Sequence, residues 1–309
     1  MLENIDIGAL EGSWKRLTER VGEQDWPQAS LYVVATPIGN LADLSLRALH
    51  ALSVCDVVAA EDTRSSRQLL DAWGVQTPLL AAHRHNEAQA AQTIIDRLAQ
   101  GQRVALISDA GAPGVSDPGA RIVRACQDAG YRVVPIPGAS AVITALMASG
   151  ATSDENPAFV FAGFTPSKSM ARRKWLQQWC AVPAPVVMFE SPHRVRAAFQ
   201  DLLDVCGPQR VLTIARELTK RFEQVKTLSL DQAQAWLDED THHEQGEFVL
   251  IVHSAPPQLA DEFDQGAAVL LDALLESVSV RDAAKIAAKV SGLPRDVLYK
   301  MALERQAKN

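Results

Sequence analysis

The chain has 309 residues, 47% hydrophobic and 22% charged, which is the composition of an ordinary globular protein long enough for two domains. Its formal net charge of −7 excludes a generally basic nucleic-acid-binding protein, so contact with nucleic acid would need a local patch. The four cysteines are widely spaced, which excludes a disulfide framework or structural zinc site and favours a reducing cytoplasm. The amino-terminal residues lack an apolar signal segment, and the longest small or apolar run, residues 139–151, is too short to cross a bilayer.

Residues 1–29 carry six acidic and three basic side chains and few periodic apolar positions. We interpret them as a flexible, loosely held amino-terminal extension with a short helix around Trp14.

The segment of residues 30–150 alternates short apolar runs with stretches of helical length. Strands are predicted at residues 31–35, 57–60, 79–82, 104–108 and 133–136, and helices at residues 45–53, 65–73, 87–100 and 119–129. This alternation is typical of an α/β domain whose mostly parallel sheet carries helices on both faces.

A polar, turn-rich segment at residues 150–157 marks the expected boundary to a second α/β domain, residues 151–256. Its predicted strands are residues 159–162, 186–190, 211–215 and 248–253, and its predicted helices are residues 169–179, 193–205 and 231–238. The chain then becomes purely helical, and helices at residues 266–277, 281–290 and 295–305 form a short module, residues 266–309.

A glycine-rich loop at residues 108–119 follows the strand at 104–108 and matches neither the dinucleotide fingerprint GxGxxG nor the P-loop. Three more loops follow predicted strands, at residues 36–40, 61–64 and 137–141. In open α/β sheets ligands bind outside the carboxyl ends of the strands, so these loops predict one ligand site. Structural turns alone are the alternative.

Four motifs, together with the glycine-rich loop and the loops at residues 36–40 and 137–141, resemble one branch of the tetrapyrrole methylase superfamily, the cytidine 2′-O-methyltransferases of ribosomal RNA. The motifs are EDTR at residues 61–64, HRHNE at 83–87, ESPHR at 190–194 and ARELTKRFE at 215–223. The resemblance covers residues 31–254 and extends to the carboxyl-terminal helices. It implies two α/β domains of tetrapyrrole methylase type with S-adenosyl-L-methionine in the cleft between them. It also implies a homodimer that works in the cytoplasm on 16S rRNA in the decoding region of the small ribosomal subunit.

The resemblance also nominates the cofactor-binding residues. They are Pro37, Ala110, Gly111, Ala112, Val115, Ser140, Ala141, Glu190 and Leu218. Ala112 stands where the precursor methylases of the superfamily have an aspartate, so backbone contacts must replace the contact that this carboxylate makes.

Methylation of a ribose hydroxyl requires a group that accepts the hydroxyl proton. We single out Glu61, His85 and Lys220 as catalytic candidates, with Glu61 and Lys220 in strand-end loops of the two domains. A carboxylate there could accept the ribose proton, and the Lys220 ammonium could hold the adjacent phosphate or stabilise the developing alkoxide. Glu61 and Asp62 beside Arg64 could equally form a structural ion pair, the segment after His85 could cap a helix, and Lys220 could lie in a solvated turn.

The candidate RNA-binding residues are basic side chains in both α/β domains and the carboxyl-terminal module. They are Arg64, Arg172, Arg173, Lys174, Arg194, Arg221, Lys285 and Lys289, and solvated charged faces are the alternative for each group. Residues 277–309 contain seven basic and three acidic side chains, and the spacing of Ala288, Gly292 and Leu298 fits either a helix-turn-helix or a generic helical hairpin. Phe164 or Phe222 could stack on an extruded cytosine, or could lie in the core.

Two other functions fit parts of the sequence. One is a precursor methylase acting on a tetrapyrrole, against which the missing aspartate and the basic module argue. The other is a non-catalytic ribosome-binding factor on the same fold. No cluster of histidine and carboxylate residues has the spacing of metal ligands, so we expect no metal.

Overall fold

The computed structural model of the protein describes residues 7–84, 86–255 and 261–306, and the chain divides into the units Met1–Ser254 and Ala255–Asn309. The first unit contains two five-stranded sheets, which confirms the predicted pair of α/β domains. Among the described residues there is no helix with the length and apolar character needed to cross a membrane.

The first sheet is parallel throughout and has the strand order β3-β2-β4-β1-β5. Its strands are β1 (Ser30–Val34), β2 (Val57–Ala60), β3 (Leu79–Ala81), β4 (Val104–Ile107) and β5 (Arg132–Ile136). The helices that cover it are α2 (Leu46–Val54), α3 (Thr63–Ala72), α4 (Glu87–Ala99) and α5 (Ala120–Asp128). Successive strand residues point to opposite faces: Val58 packs with α2 and α3, whereas Val57 packs with α4 and α5. Both faces are therefore buried, as the continuous apolar strands predict.

The amino-terminal helix α1 (Ile7–Gly22) is longer than the short helix predicted around Trp14. Its end is attached to the first domain, because the Trp26 indole N–H donates to the Val21 carbonyl at 2.8 Å. The Trp26 ring in turn packs against His50 and Tyr32, with centroid distances of 4.7 and 5.7 Å. These contacts hold the end of the helix on the first domain. Residues 1–6 of the predicted extension lie outside the described residues.

The second sheet is mixed, with the order β6-β7-β10-β8-β9. Its strands are β6 (Val160–Phe164), β7 (Val186–Glu190), β8 (Val211–Arg216), β9 (Gln224–Ser229) and β10 (Phe248–Val252). The helices of this domain are α7 (Ser169–Trp179), α8 (Val195–Cys206) and α9 (Ala233–Glu239). The sequence did not predict β9, whose first four residues are exposed and therefore lack an apolar pattern.

The central strand β10 runs antiparallel to both β7 and β8, which the α/β alternation did not predict. Its first residue, Phe248, pairs with Glu190 and Arg216, the last residues of those two strands. The amino end of β10 therefore lies at the edge of the sheet where β7 and β8 end.

The helix after β5, α6 (Ala141–Ser149), packs on the second sheet. Its buried side chains Val142 and Ala145 lie in one cluster with Val187 and Val249. The chain thus reaches the second domain before the boundary predicted at residues 150–157, since Gly150 only ends this helix in a left-handed conformation.

The second unit consists of α10 (Asp261–Leu275), α11 (Val280–Ser291) and α12 (Arg295–Gln306), so its first helix begins before the predicted residue 266. Its core includes Leu271, Ala283 and Leu298. Ser279 accepts a hydrogen bond from the Asp282 N–H at the start of α11, and Gly292 ends that helix with φ +73°.

Candidate active site

Three loops meet at the carboxyl edge of the first sheet because β1 lies between β4 and β5. Thr36 and Gly111 exchange two backbone hydrogen bonds, of 2.9 and 3.1 Å, which join the loop after β1 to the glycine-rich loop. The Thr36 hydroxyl also donates to the Ser108 carbonyl at 3.2 Å. The predicted convergence of these loops is therefore present in the structure.

A cavity of about 400 Å³ opens beside these loops and is lined by both α/β domains of the first unit. Eight of the nine predicted cofactor-binding residues line it: Ala110, Gly111, Ala112, Val115, Ser140, Ala141, Glu190 and Leu218. Pro37 is not among the described lining residues, whereas its neighbour Ile38 is. Nine further lining residues were not predicted from the sequence: Ile38, Ser116, Asp117, Phe189, Ser191, Pro192, Glu247, Phe248 and Val249. Phe164, which the sequence offered as a stacking or a core residue, also lines the cavity.

Gly111 lines the cavity and has no side chain. Its φ of +78° is a conformation that side-chain-bearing residues rarely adopt, and an added Cβ would lie 3.3 Å from Ile38 Cγ2. Small residues flank it at positions 110 and 112. The wall at this point consists of backbone, which a bound molecule can contact directly.

Glu190 ends β7 with a carboxylate that is fully buried at the cavity wall. It accepts hydrogen bonds from the Thr165 hydroxyl, from the Ser191 N–H at 2.7 Å and from the Arg194 guanidinium at 2.9 Å. Three donors from this chain satisfy a carboxylate whose burial would otherwise be unfavourable. Arg194 is thus engaged in supporting the cavity wall, which argues against its predicted contact with RNA.

The loop after β8 holds Lys220 between two carboxylates. Its ammonium donates to Glu217 Oε1 and Glu247 Oε2, both at 2.9 Å, and its stem lies against Gly39 of the first domain. Burial lowers the pKa of Lys220, but the hydrogen bonds to Glu247 and Glu217 outweigh that effect and raise it above its usual value. Lys220 therefore carries a positive charge at neutral pH and cannot accept a proton. It pairs with Glu247, which lines the cavity.

Glu61 follows β2 and does not belong to the described cavity lining. Burial raises its pKa, and the charges of Asp109 and Asp117 raise it further against the opposing charge of Arg84. Asp117 does line the cavity, and burial together with Asp109 raises its pKa as well, against a hydrogen bond from Ser108. These carboxylates bind protons more readily than exposed ones, as a proton acceptor requires.

The structural ion pair considered for this segment joins Asp62 to Arg64 at 3.2 Å and does not include Glu61. Asp62 also caps α3 by accepting from the Arg64 N–H at 2.8 Å. The side chain of Arg64 is 90% exposed, so it is accessible to an RNA backbone. His85 lies outside the described residues, and the adjacent Asn86 stands at the start of α4 without a side-chain capping bond.

The prediction of an RNA-binding side chain is wrong for Arg172. Its side chain is 2% exposed, and it pairs with Asp201 at 2.6 Å between α7 and α8. Arg173 pairs with Asp204 at 2.9 Å but is 46% exposed, and Lys174 is exposed. Arg221 is exposed over the Phe222 ring, and Lys285 and Lys289 are exposed on α11.

Comparison with known protein families identifies the family to which the chain belongs. The profile of the Tetrapyrrole (Corrin/Porphyrin) Methylases matches residues 30–234, which include the loops and most of both sheets. The chain belongs to the tetrapyrrole methylases. A second profile, described as the RsmI C-terminal HTH domain, matches residues 261–306.

Relatives of this tetrapyrrole methylase confirm the resemblance found in the motifs. A protein of Escherichia coli O157:H7 named ribosomal RNA small subunit methyltransferase I is 43% identical, over 91% of this chain and 97% of its own length. A Pseudomonas aeruginosa protein of the same name is also 43% identical, over 91% of this chain and 99% of its own.

A solved structure of a methyl transferase shares the fold. The uroporphyrin-III C-methyl transferase from Thermus thermophilus, complexed with S-adenyl homocysteine, superposes with a TM-score of 0.51. It has 16% sequence identity and covers 72% of this chain and 97% of its own.

Proposed function

We propose that the protein transfers a methyl group from S-adenosyl-L-methionine to the ribose 2′-hydroxyl of a cytidine in 16S rRNA. The observation that carries this proposal is 43% identity, over 91% of this chain and 97% of the relative, to a protein named ribosomal RNA small subunit methyltransferase I. The substrate is the small ribosomal subunit, so we expect the protein to act in the cytoplasm.

The residues of the cavity suit this cofactor. A volume of about 400 Å³ lies within the range of ligand pockets, roughly 300–1,000 Å³. Gly111 presents backbone where an added Cβ would meet Ile38, and the Ser140 hydroxyl makes no capping bond to α6. Asp117 and Glu247 place carboxylates in the lining, which favour a cationic ligand. When bound, S-adenosylmethionine supplies an electrophilic methyl group on a positively charged sulfur.

This chain contributes binding, orientation and proton acceptance. The backbone of residues 110–112 and the side chains of Val115, Ser140 and Leu218 would hold the cofactor. Asp117, assisted by the neighbouring charge of Glu61, accepts the proton of the ribose hydroxyl at a carboxylate oxygen. Positioning of that hydroxyl supplies most of the remaining rate, since the methyl group is already activated.

A homodimer is part of this proposal. α6 supports it by leaving Ile143 and Met147, one helical turn apart, 49% and 82% exposed. Sedimentation equilibrium of the purified chain tests the dimer independently of the activity.

Transfer of labelled methyl groups tests the proposed function against its two alternatives. Purified protein, labelled S-adenosylmethionine and small ribosomal subunits that lack the modification should give labelled rRNA. A parallel reaction with uroporphyrinogen should stay unlabelled. Label in the tetrapyrrole would favour a precursor methylase, and label in neither substrate would favour a non-catalytic factor.

Lys220 is expected to act by positioning, because its charge is already balanced by two carboxylates. Lys220→Met keeps the stem against Gly39 and removes the ammonium, so Glu247 at the cavity loses its ion-pair partner and Glu217 keeps only the hydrogen bond from the Glu247 N–H. We expect the single-turnover methylation rate to fall roughly 10-fold with little change in cofactor affinity. Lys226→Met, an exposed lysine on β9, is the matched control. A wild-type rate for Lys220→Met would remove Lys220 from the site.

The exposed lysines of α11 are expected to contact rRNA phosphates. Replacing Lys285 and Lys289 with glutamine should weaken binding to small subunits and make the dependence of log Kd on log salt shallower, by roughly 0.7–0.9 per lost contact. Kd is measured at several salt concentrations, with Lys226→Gln as the control. Equal slopes for the double variant and the wild type would contradict RNA contact by this helix.

A further inference from the structure

Phe164 is a large aromatic side chain that lines the cavity and yet is 56% exposed. Its ring meets Phe189 edge to face, with centroids 5.2 Å apart and an interplanar angle of 66°. Phe189 in turn contacts Phe161 at 4.9 Å in the partly buried layer beneath. Phe164 thus packs against Phe189 while more than half of its side chain stays exposed, as expected of a ring on which another ring can stack.

A bulge in β6 places Phe164 on the cavity side of the sheet. Along a regular strand, side chains alternate, so Phe164 would share the face of Ala162, which packs against the core under α7 and α8. Instead, Phe161 pairs with Val187 and Phe164 pairs with Phe189, so one extra residue is inserted between them. Phe164 therefore shares the face of Phe161, Val187 and Phe189.

Gly163 makes this bulge. Its φ of +80° is a backbone conformation that favours glycine, and an added Cβ would lie 3.6 Å from the Ser116 hydroxyl of the glycine-rich loop. A regular strand would bury Phe164, whereas the bulge exposes it beside the cavity. Packing in the core therefore does not explain why an aromatic residue stands at position 164. A ligand that covers the Phe164 ring explains it.

We propose that Phe164 is the platform on which the base of the target nucleotide stacks when its ribose enters the cavity. This inference rests on the proposed function. A ribose inside a helix or stacked loop cannot reach an enclosed site, so the nucleotide must leave its stack, and an aromatic ring compensates for the lost stacking. The other candidate from the sequence, Phe222, is 64% exposed but lies outside the described cavity lining.

Stacking on Phe164 contributes binding to the extruded base without selecting its identity, because every base has an aromatic face. Phe164 is thus a substrate-positioning residue. The choice of cytosine falls to other groups at the cavity.

The test measures kcat/KM for methylation of small subunits and, separately, the affinity for S-adenosylhomocysteine by calorimetry. Phe164→Ala should lower kcat/KM roughly 10- to 100-fold, and Phe164→Leu should lower it nearly as much because leucine lacks an aromatic face. Phe164→Trp should retain activity near that of the wild type. Phe159→Ala, which removes a 40% exposed ring just before the same strand, should change nothing. All variants should bind S-adenosylhomocysteine as the wild type does.

Several outcomes would overturn the proposal. One is a wild-type kcat/KM for Phe164→Ala, and another is full activity of Phe164→Leu. A third is a loss of S-adenosylhomocysteine binding in proportion to the loss of activity, which would assign Phe164 to cofactor binding. If Phe164→Ala fails to fold, the contrast between the leucine and tryptophan variants decides the question. A wild-type protein that binds S-adenosylhomocysteine but methylates no subunits would overturn both proposals, whereas an active wild type with an unaffected Phe164→Leu overturns only this one.

Discussion

Gly111→Val should abolish binding of S-adenosylmethionine. Valine strongly disfavours a φ of +78°, its Cβ would lie 3.3 Å from Ile38 Cγ2, and its two methyl groups need further space beyond the Cβ. Gly111 cannot move away freely, because its N–H and carbonyl both pair with Thr36. We expect calorimetry to show at least a ~100-fold loss of affinity, about 2.7 kcal/mol or more.

The matched control for this substitution is Gly207→Val. Gly207 has nearly the same backbone angle, φ +82°, but an added Cβ there meets nothing within 4 Å, and the residue ends α8 away from the cavity. It should lose stability from backbone strain while keeping its cofactor affinity. If Gly111→Val binds S-adenosylmethionine as tightly as Gly207→Val does, with native circular dichroism in both, the glycine-rich loop does not hold the cofactor.

Asp117→Asn should lower the single-turnover methylation rate by roughly 10²-fold or more, the usual contribution of a general base. Asp117 lines the cavity, and burial raises its pKa toward the range in which a carboxylate accepts protons effectively. Glu61→Gln, at the residue predicted from the sequence, should have a smaller effect, because Glu61 acts on the cavity through its charge beside Asp117. Rapid-quench assays with saturating cofactor measure both rates. A near-normal rate for Asp117→Asn with a 10²-fold loss for Glu61→Gln would reverse these assignments.

The same carboxylates predict the direction of a pH effect on stability. The pKa of Glu61 is raised by folding, so the folded state binds the extra proton more tightly than the unfolded state does. Its contribution to stability is thus most favourable below the unfolded pKa and is lost as pH rises through the folded pKa. Glu61→Gln should remove that loss and leave the protein slightly more stable than the wild type at neutral pH, as denaturant midpoints can measure.

The sequence predicted the positions of the loops after β1, β4 and β5 because parallel strands alone decide where they lie. β1, β4 and β5 are short, continuous apolar runs, and the loops that follow such strands must meet at one sheet edge. Six of the seven cofactor candidates on these loops line the cavity, and Pro37 is the exception among the described lining residues.

The cavity position of Glu247 before β10 and the bulge in β6 were not predicted from the sequence, for a physical reason. Glu247 precedes β10, and a parallel strand would place it at the far edge of the second sheet, whereas the antiparallel pairing brings it to the cavity. Nothing local in the sequence fixes strand direction, which depends on partners distant along the chain. Gly163 was the available sign of the bulge, since a glycine inside a strand often marks one.

The prediction of RNA-binding residues from charge alone was wrong for one side chain. Arg172, Arg173 and Lys174 are consecutive, and a helix turns by about 100° per residue, so they cannot all share one face. Arg172 points inward to Asp201, a partner 29 positions later in the chain, which no local pattern indicates.

The most direct measurement of the central claim is nucleoside analysis of the methylated product. Small subunits that lack the modification are incubated with the protein and labelled S-adenosylmethionine, and their rRNA is digested to nucleosides and analysed by mass spectrometry. We predict that the label appears in 2′-O-methylcytidine and that Gly111→Val yields none. A label on a base or in another nucleoside would contradict this function. An unlabelled rRNA would contradict it as well, provided that the wild-type protein binds S-adenosylmethionine.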